Sequence, residues 1–283
     1  MVFPLGSASI LLTLCQYRNT DKVSERFADS VIICLDLHSE ISKNRSMGEA
    51  RKNSVEWLDI LFEDNHIIVV NKRPGEIVQG DKTGDTPLSE IVAGFIARRD
   101  AKPGAAFIGV PHRLDRPVSG IAIFAKTSKA LERLNEMFRE GAIEKKYWAI
   151  TAGRPQKEAG ELRHYLYRNE QQNKSYAYDR ERNGSKEARL NYKLIATGDR
   201  YNLIEVELLT GRHHQIRCQL AAIGCPIKGD LKYGSPRSNR DGSISLHSRS
   251  VKFIHPVKKS EIFITAPPPI DPLWDHFIAV VGK

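Results

Sequence analysis

The sequence predicts an α+β fold, formed by one domain over about residues 55–283. Short β-branched runs, which are typical of buried strands, alternate with segments that carry apolar residues at helical spacing. Further along the chain, Lys186–Thr197 alternates apolar and polar residues as a half-buried strand does. No internal repeat and no Gly/Ser-rich linker divides the chain after residue 57.

The first regular elements predicted are a strand and a helix. His66–Asn71 is a β-branched run that Pro74 and Gly75 follow, so we expect a buried strand there. Thr86 is a candidate cap for a helix with Pro87 at its first position. One face of that helix would carry Leu88, Ile91, Val92, Phe95 and Ile96.

A second strand and helix follow at Ile121–Ala125 and after Thr127 or Ser128, either of which can cap the helix. Gly141 is expected to end this helix, because glycine readily takes the left-handed conformation of a helix C-terminus. Its inward residues are Leu131, Leu134 and Phe138.

The second half of the domain is predicted to be richer in strands. One helix is expected at Gly211–Ile223, with Ile216, Leu220 and Ile223 on one face, and the Pro-rich tail Pro267–Trp274 is expected along the surface. The predicted strands are Tyr147–Ala152, Lys186–Thr197, Tyr201–Leu209 and further strands through Phe263.

Residues 1–54 show only short apolar runs with no sustained period, and we expect a separate N-terminal segment that the domain at 55–283 does not require. Residues 1–46 hold five basic and five acidic residues. The formal net charge of +9 therefore belongs to residues 47–283, which favours a polyanionic partner for that part.

Two function classes fit the chain poorly. No apolar run approaches the roughly 18 residues of a membrane span, so we expect no membrane partner. The four cysteines form no CxxC pair with zinc-ligand spacing, which predicts no structural metal and favours reduced thiols in the cytoplasm.

The stretch His112-Arg113-Leu114-Asp115-Arg116-Pro117-Val118-Ser119-Gly120 is the most informative. A carboxylate between two arginines is favoured in its charged form, and a charged Asp115 can act as a nucleophile or a base. Taken alone, the same residues also fit a surface cluster of salt bridges at a turn.

A second stretch, Leu209-Thr210-Gly211-Arg212-His213-His214-Gln215-Ile216-Arg217, leads into the predicted helix at Gly211–Ile223. Arg217 lies one turn beyond His213 and His214, so all three can share one side of a helix. Arginines and helix starts suit phosphate, whereas the paired histidines alone are weak support for a metal.

A third stretch, Arg163–Lys193, interleaves basic residues with Tyr165, Tyr167, Tyr176 and Tyr178. Such a mixture suits phosphate contact and stacking on unpaired bases, and it equally fits a solvated hairpin.

Five ordered segments over about residues 57–265 together resemble the RluA-type pseudouridine synthases. They are VVNKRPGEIV (69–78), HRLD…SG (112–120), KKYWA (145–149), LLTGRHHQIR…GCPIKGDLKYG (208–234) and LHSRSVKFIHP (246–256). The resemblance implies the pseudouridine synthase fold, a mixed and mainly antiparallel sheet with flanking helices and a central catalytic cleft. It also implies an isomerase that converts selected uridines of a structured RNA, ribosomal or transfer RNA, without a cofactor or a metal.

Residue roles follow from the same resemblance. Asp115 matches the essential aspartate, Tyr147 the tyrosine that packs against the target ring, and Arg217 the basic partner of the aspartate. Arg113 matches the arginine that fills the stack when the target base leaves it, and Ile216 matches an apolar pocket residue. We expect His112, Arg212 and His214 to contact the substrate as well. Val118, His213 and Gln219 depart from the usual family residues, which concerns substrate placement more than the reaction.

Two alternatives of other classes are an RNA-binding or ribosome-assembly protein without catalysis, and a metal-dependent hydrolase using His213 and His214. Retention of Asp115, Tyr147 and Arg217 together favours the synthase. We expect a monomer in the cytoplasm.

Overall fold

A computed structural model describes residues 58–101 and 103–282. The predicted N-terminal segment, residues 1–54, lies outside the described residues. Ten strands of the described residues join in one sheet, with the order β1-β2-β3-β9-β4-β8-β7-β5-β6 and β10 paired to β9. The strands are β1 Ile60–Glu63, β2 Ile67–Lys72, β3 Ser119–Ala125, β4 Glu144–Thr151, β5 Ala159–Asn169, β6 Lys174–Tyr178, β7 Lys186–Thr197, β8 Asn202–Leu208, β9 Leu246–Ile254 and β10 Glu261–Thr265.

The sheet is mixed and mainly antiparallel, so the predicted α+β class is confirmed. The parallel pair joins β3 to β9, through Ser119 opposite His247 and Gly120 opposite Ser248. Gly120 has φ +109°, and a Cβ there would lie 2.3 Å from the Ser248 carbonyl oxygen. A glycine is therefore required where the start of β3 meets β9.

Within residues 58–101 and 103–282, four helices pack against the sheet. They are α1 Leu88–Arg99, α2 Ser128–Glu140, α3 Gln215–Ala222 and α4 Pro272–Val281. Thr127 caps α2 through a bond from Ala130 N–H, and Gly141 ends it with φ +74°, as predicted. Within the described ranges, no helix has the length and apolar character to cross a bilayer.

The predicted cap of α1 was wrong. The helix begins at Leu88, and Pro87 occupies the capping position without a side-chain bond. The amides of Leu88 and Ser89 donate instead to the carbonyls of Ile77 and Val78, at 2.7 and 3.3 Å. A preceding loop therefore satisfies the free N–H groups that a Thr86 side chain was expected to bind.

Two further predictions need correction. The Pro267–Trp274 tail does not simply follow the surface, because Asp271 caps α4 and Trp274, in the first turn of that helix, is buried against the sheet. The helix predicted at Gly211–Ile223 begins only at Gln215. Gln215 Oε1 accepts bonds from Thr210 Oγ1 and Arg212 N–H at 2.8 and 2.9 Å, which holds Gly211–His214 in a loop.

The core lies on both faces of the sheet because side chains alternate along each strand. Ile68 and Val70 of β2 pack on the face that α1 and α3 cover, whereas Ile67 and Val69 pack toward α2. Phe277 of α4 closes a separate cluster over β4, β7 and β8. The face under α3 carries the residues that the sequence singled out.

Candidate active site

Asp115 lies in the loop that leads into β3, and its side chain is one-third exposed, 33%. Val118 N–H donates to the Asp115 carbonyl at 3.0 Å and closes a turn. Lys72 fixes this turn from below, because its buried ammonium group donates to the carbonyls of Arg73, Arg116 and Val118 at 2.9, 3.1 and 2.6 Å. The carboxylate is thus presented on a rigid loop while its tip still reaches solvent.

Arg217 of α3 joins Asp115 to a second carboxylate. Arg217 Nη1 donates to Asp115 Oδ2 at 3.0 Å, while Nε and Nη2 donate to Asp230 at 2.6 and 2.9 Å. Burial opposes the charge of Arg217, but the bonds and charges of Asp230 and Asp115 together raise its pKa above the usual range. Asp230 is 1% exposed and follows Gly229 in the loop before the 3₁₀ turn Leu231–Tyr233. A forked pair of this kind fixes the guanidinium in one orientation.

His214 approaches the same oxygen from the other side. Its Nε2 lies 3.4 Å from Asp115 Oδ2, and its Nδ1 lies 3.0 Å from the Tyr233 hydroxyl. Burial lowers the pKa of His214 to about 3, so the imidazole is neutral near pH 7. Since a carboxylate only accepts, the single ring proton belongs on Nε2, and Tyr233 donates to Nδ1. Ser175 N–H completes the chain by donating to the Tyr233 oxygen at 2.8 Å.

His213 stacks on His214 with the ring centroids 3.8 Å apart. It also reaches the β5–β6 hairpin, where Nδ1 lies 2.9 Å from Ser175 Oγ of β6 and Nε2 lies 3.1 Å from Asn173 Oδ1 of the turn. Both rings are therefore engaged by protein groups. Among the described residues, no three His, Cys, Asp or Glu side chains are grouped as metal ligands.

Tyr147 and Ile216 form the apolar side of the site. Both are buried in the core cluster that also contains Leu114 and Val118, the residues on either side of the Asp115 turn. Burial raises the pKa of Tyr147 to about 12, and the charge of Asp115 acts in the same direction. Its hydroxyl therefore stays protonated at neutral pH. The structure thus brings Asp115, Arg217, His214, Tyr147 and Ile216 to one place.

The other predicted site residues make no hydrogen bond or ion pair with Asp115 in the part of the chain that the structure describes. The arginines beside Asp115 in sequence do not pair with it: Arg113 is exposed, and Arg116 binds Asp85 at 2.6 Å and Asp81 at 3.4 Å. Residues next to each other in an extended turn project to different sides, and the arginine that pairs with Asp115 is Arg217. The predicted shared helical face of His213, His214 and Arg217 was also wrong, since α3 begins after both histidines.

His112 and Arg212 are held by the backbone of neighbouring strands. His112 Nε2 accepts from Ile123 N–H of β3 at 2.9 Å, and its ring stacks on Phe138 at 4.6 Å. Burial lowers the pKa of His112 to about 4, which keeps the accepting nitrogen free of a proton. Arg212 is exposed, and its Nε donates to the Glu187 carbonyl at 2.9 Å. His112 thus supports the loop that carries Asp115, and Arg212 lies at the surface of the site.

Sequence reasoning missed Asp230, Tyr233 and Lys72. All three lie inside the segments that carry the family resemblance, KGDLKYG and VVNKRPG, but received no role. A buried arginine requires a buried counter-ion, so Arg217 was the signal that could have led to Asp230.

The sequence of this chain matches a known protein family and several of its curated members. Residues 66–222 match the sequence profile of the family described as RNA pseudouridylate synthase. The chain is 33% identical over 220 residues to an uncharacterized RNA pseudouridine synthase, YhcT, of Bacillus subtilis, covering 76% of this chain and 70% of that protein. It is 31% identical over 264 residues to the ribosomal large subunit pseudouridine synthase C of Haemophilus ducreyi, covering 89% and 78%.

A solved structure, human RNA pseudouridylate synthase domain containing 4, has the same fold. It superposes with a TM-score of 0.63 at 23% identity, covering 79% of this chain and 93% of the human chain.

Proposed function

The chain belongs to the RNA pseudouridylate synthase family and is an RNA pseudouridine synthase, an isomerase, and from that premise we propose that Asp115 is its catalytic carboxylate. We further propose that it acts without a cofactor on selected uridines of ribosomal or transfer RNA. Related chains are named as ribosomal large subunit synthases, which favours ribosomal RNA as the first substrate to examine.

The reaction breaks the N1–C1′ bond of uridine, turns the uracil and joins C5 to C1′. C5 loses one proton and N1 gains one, so the isomerisation needs neither an oxidant nor a reductant. The protein must supply a nucleophile or base at the sugar or the ring, and a pocket that retains the free uracil. Asp115 can serve by adding to the base, by attacking C1′ or by taking the C2′ proton.

One observation carries the assignment of Asp115. Its Oδ2 is held by Arg217 and faces His214, whereas Oδ1 has no partner within residues 58–101 and 103–282. One oxygen is therefore fixed and the other is left for the substrate. The positive charge of Arg217 stabilises the Asp115 carboxylate, and the two bonds to Asp230 fix the orientation of the Arg217 guanidinium.

Tyr147 and Ile216 are proposed to line the pocket for the uracil. Their buried side chains exclude water beside Asp115, which helps to retain a free base between bond cleavage and rejoining. Tyr147 offers a ring for stacking and, with its pKa raised to about 12 by burial, a hydroxyl that donates.

Substrate contacts are proposed for the exposed side chains at the rim. A uridine inside a helix must leave its stack to reach Asp115, which costs a few kcal/mol and requires a side chain in its place. Arg113 is exposed, two residues from Asp115, and makes no ion pair among the described residues, so it is free to take that place. Arg212 is proposed to bind phosphate.

Pseudouridine mapping tests this function in cells that lack the protein. Ribosomal and transfer RNA would be mapped chemically before and after rescue with the wild type or with Asp115→Ala. We expect one site to disappear and only the wild type to restore it. Equal rescue by Asp115→Ala would show that Asp115 is not the catalytic group and would favour a role in RNA binding.

A further inference from the structure

Four tyrosines lie side by side on the β5–β6 hairpin, on the sheet face away from α3. The strand register places Tyr165 opposite Tyr178 and Tyr167 opposite Tyr176. Residues opposite each other in an antiparallel pair share a face, as do residues two apart along a strand. All four rings therefore belong to one surface, which we call the tyrosine platform (Tyr165, Tyr167, Tyr176 and Tyr178).

The platform faces away from the active site. Leu166 and Ala177, which alternate with the tyrosines, pack against Cys218 and Ala221 of α3. Since α3 also carries Arg217, the Asp115 site and the platform lie on opposite faces of the sheet. The strand β6 lies at the edge of the sheet, so an RNA strand that passes around this edge can reach both faces.

No helix of the described residues covers the platform. On that face α4 packs over β4, β7 and β8, through Trp274 and Phe277, and leaves the β5–β6 hairpin open. Tyr167 is 41% exposed, and the other three rings are half-buried. An uncovered group of four large aromatic side chains is uncommon on a surface that serves only solubility.

The charges around the platform are unevenly balanced. Arg163 pairs with Glu187, and Arg189 pairs with Glu161 at 2.6 Å, so these two cations are neutralised. Two other cations of the hairpin lie near the rings. Arg182 lies 3.8 Å from the Tyr178 ring centroid. Lys174 Nζ, at the edge of the sheet, lies 5.4 Å from the ring centroids of both Tyr176 and Tyr233, the second of which packs on the α3 side. Neither cation makes an ion pair with any residue that the structure describes.

Aromatic rings with unpaired cations match the chemistry of single-stranded RNA. Every base presents a π face to a ring, and the phosphates beside it present negative charge to Arg and Lys. The area of two cross-strand tyrosine pairs suits about two to three bases, the number that aromatic residues on other RNA-binding sheets stack. An anionic strand also complements the positive charge of Arg182 and Lys174.

We propose that the tyrosine platform is a second RNA-binding surface, which holds an unpaired segment of the substrate RNA while the target uridine occupies the Asp115 site. The proposal rests on the function inferred above. It explains why the hairpin carries both aromatic and basic residues, a pattern that the reaction itself does not require. Its effect would appear in RNA affinity and in KM, with kcat unchanged.

Fluorescence anisotropy with two probes tests the platform in the full-length protein. The probes are a labelled single-stranded oligouridine and a labelled, fully paired RNA duplex. The variants are Tyr167→Ala/Tyr178→Ala, the stacking-competent Tyr167→Phe/Tyr178→Phe, and Phe263→Ala, which removes an exposed ring on β10 as a control. We expect the double alanine variant to raise the oligouridine Kd at least about tenfold, at unchanged duplex affinity. The phenylalanine variant and the control should bind as the wild type does.

The proposal would be overturned by unchanged oligouridine affinity in the alanine variant, by an equal loss for both probes, or by an equal loss in Phe263→Ala. Loss of binding to ribosomal particles but not to oligouridine would also overturn it, and would point to a protein partner. Urea unfolding of each variant identifies a folding defect, and the phenylalanine variant keeps the test valid if the alanine variant unfolds. Since oligouridine binding requires no turnover, repeating it with Asp115→Asn separates failure of the platform from failure of the proposed catalytic role.

Discussion

Replacing Asp230 with Asn removes one charge from a buried ion pair while leaving the shape of the side chain almost unchanged. Asp230 accepts two bonds from Arg217, at 2.6 and 2.9 Å. Asn keeps one accepting oxygen, but its amide group meets a guanidinium N–H that cannot accept. Breaking a buried pair by removing one partner costs about 3–5 kcal/mol, and the surviving bond places this change near the lower end, about 3 kcal/mol.

Urea unfolding followed by circular dichroism measures this loss as a lower midpoint at an unchanged slope. The matched control is Glu158→Gln, which breaks the Arg154–Glu158 pair at 3.1 Å, where the Glu158 side chain is 79% exposed. That exposed pair should contribute less than about 1 kcal/mol.

Activity should fall further than stability explains, since Arg217 also orients Asp115. A displacement of about 1 Å at a reacting group can reduce the rate on the order of 100-fold, so we expect a fall of that size in kcat for folded Asp230→Asn. A stability loss below about 1 kcal/mol together with normal kcat would refute the reasoning, because Asp230 would then neither stabilise Arg217 nor position it.

Three other changes have definite expected results. Burial lowers the pKa of Lys72 to about 7 from 10.5, so the unfolded chain keeps this proton to higher pH than the folded protein does. The free energy of unfolding, measured by urea titration, should therefore rise between about pH 7 and 10, and this rise should be absent in Lys72→Met. Burial lowers the pKa of His247 to about 4, so on acidification the unfolded chain binds a proton at higher pH than the folded protein does. The free energy of unfolding should therefore fall as the pH drops from about 6.5 to 4, and it should fall less steeply in His247→Gln. His213→Ala removes the stack on His214 and the bonds to Asn173 and Ser175; kcat/KM should fall about tenfold, and an unchanged kcat/KM would mean that the stack does not position His214.

The sequence predicted the regular elements well where the signal is local. The strand at His66–Asn71 and the helix between Thr127 and Gly141 both follow from residue type and spacing within about a dozen positions, and both are present. The helix at Gly211–Ile223 was predicted four residues too early, because Gln215 caps the preceding loop with its side chain. No pattern of apolar residues reveals such a bond.

The site was predictable only through the resemblance, and its electrostatics were not. Asp115 and Arg217 are 102 positions apart, and nothing in their local surroundings requires that they meet. Arg113 and Arg116 lie beside Asp115 in sequence, yet the turn directs Arg116 to Asp85. Asp230 was missed because its role depends on being buried beneath α3, which is a property of the tertiary fold.

For the tyrosine platform, the residue types were visible in the sequence, whereas their arrangement on one face is visible only in the structure. Tyr165, Tyr167, Tyr176 and Tyr178 were visible as an interleaved aromatic and basic stretch, equally compatible with a solvated hairpin. The register of β5 and β6 places the four rings on one face, and that placement makes a binding surface testable.

The central claim is that Asp115 performs the chemistry, and the most direct test is pseudouridine formation by the purified protein. The substrate is ribosomal RNA from cells lacking the protein, and the product is measured by mass spectrometry after nuclease digestion. We expect the wild type to form one new pseudouridine per RNA. Asp115→Asn should bind the same RNA with unchanged affinity and form none. Pseudouridine formation by folded Asp115→Asn at a rate near that of the wild type would contradict the assignment and leave the catalytic group to be found elsewhere.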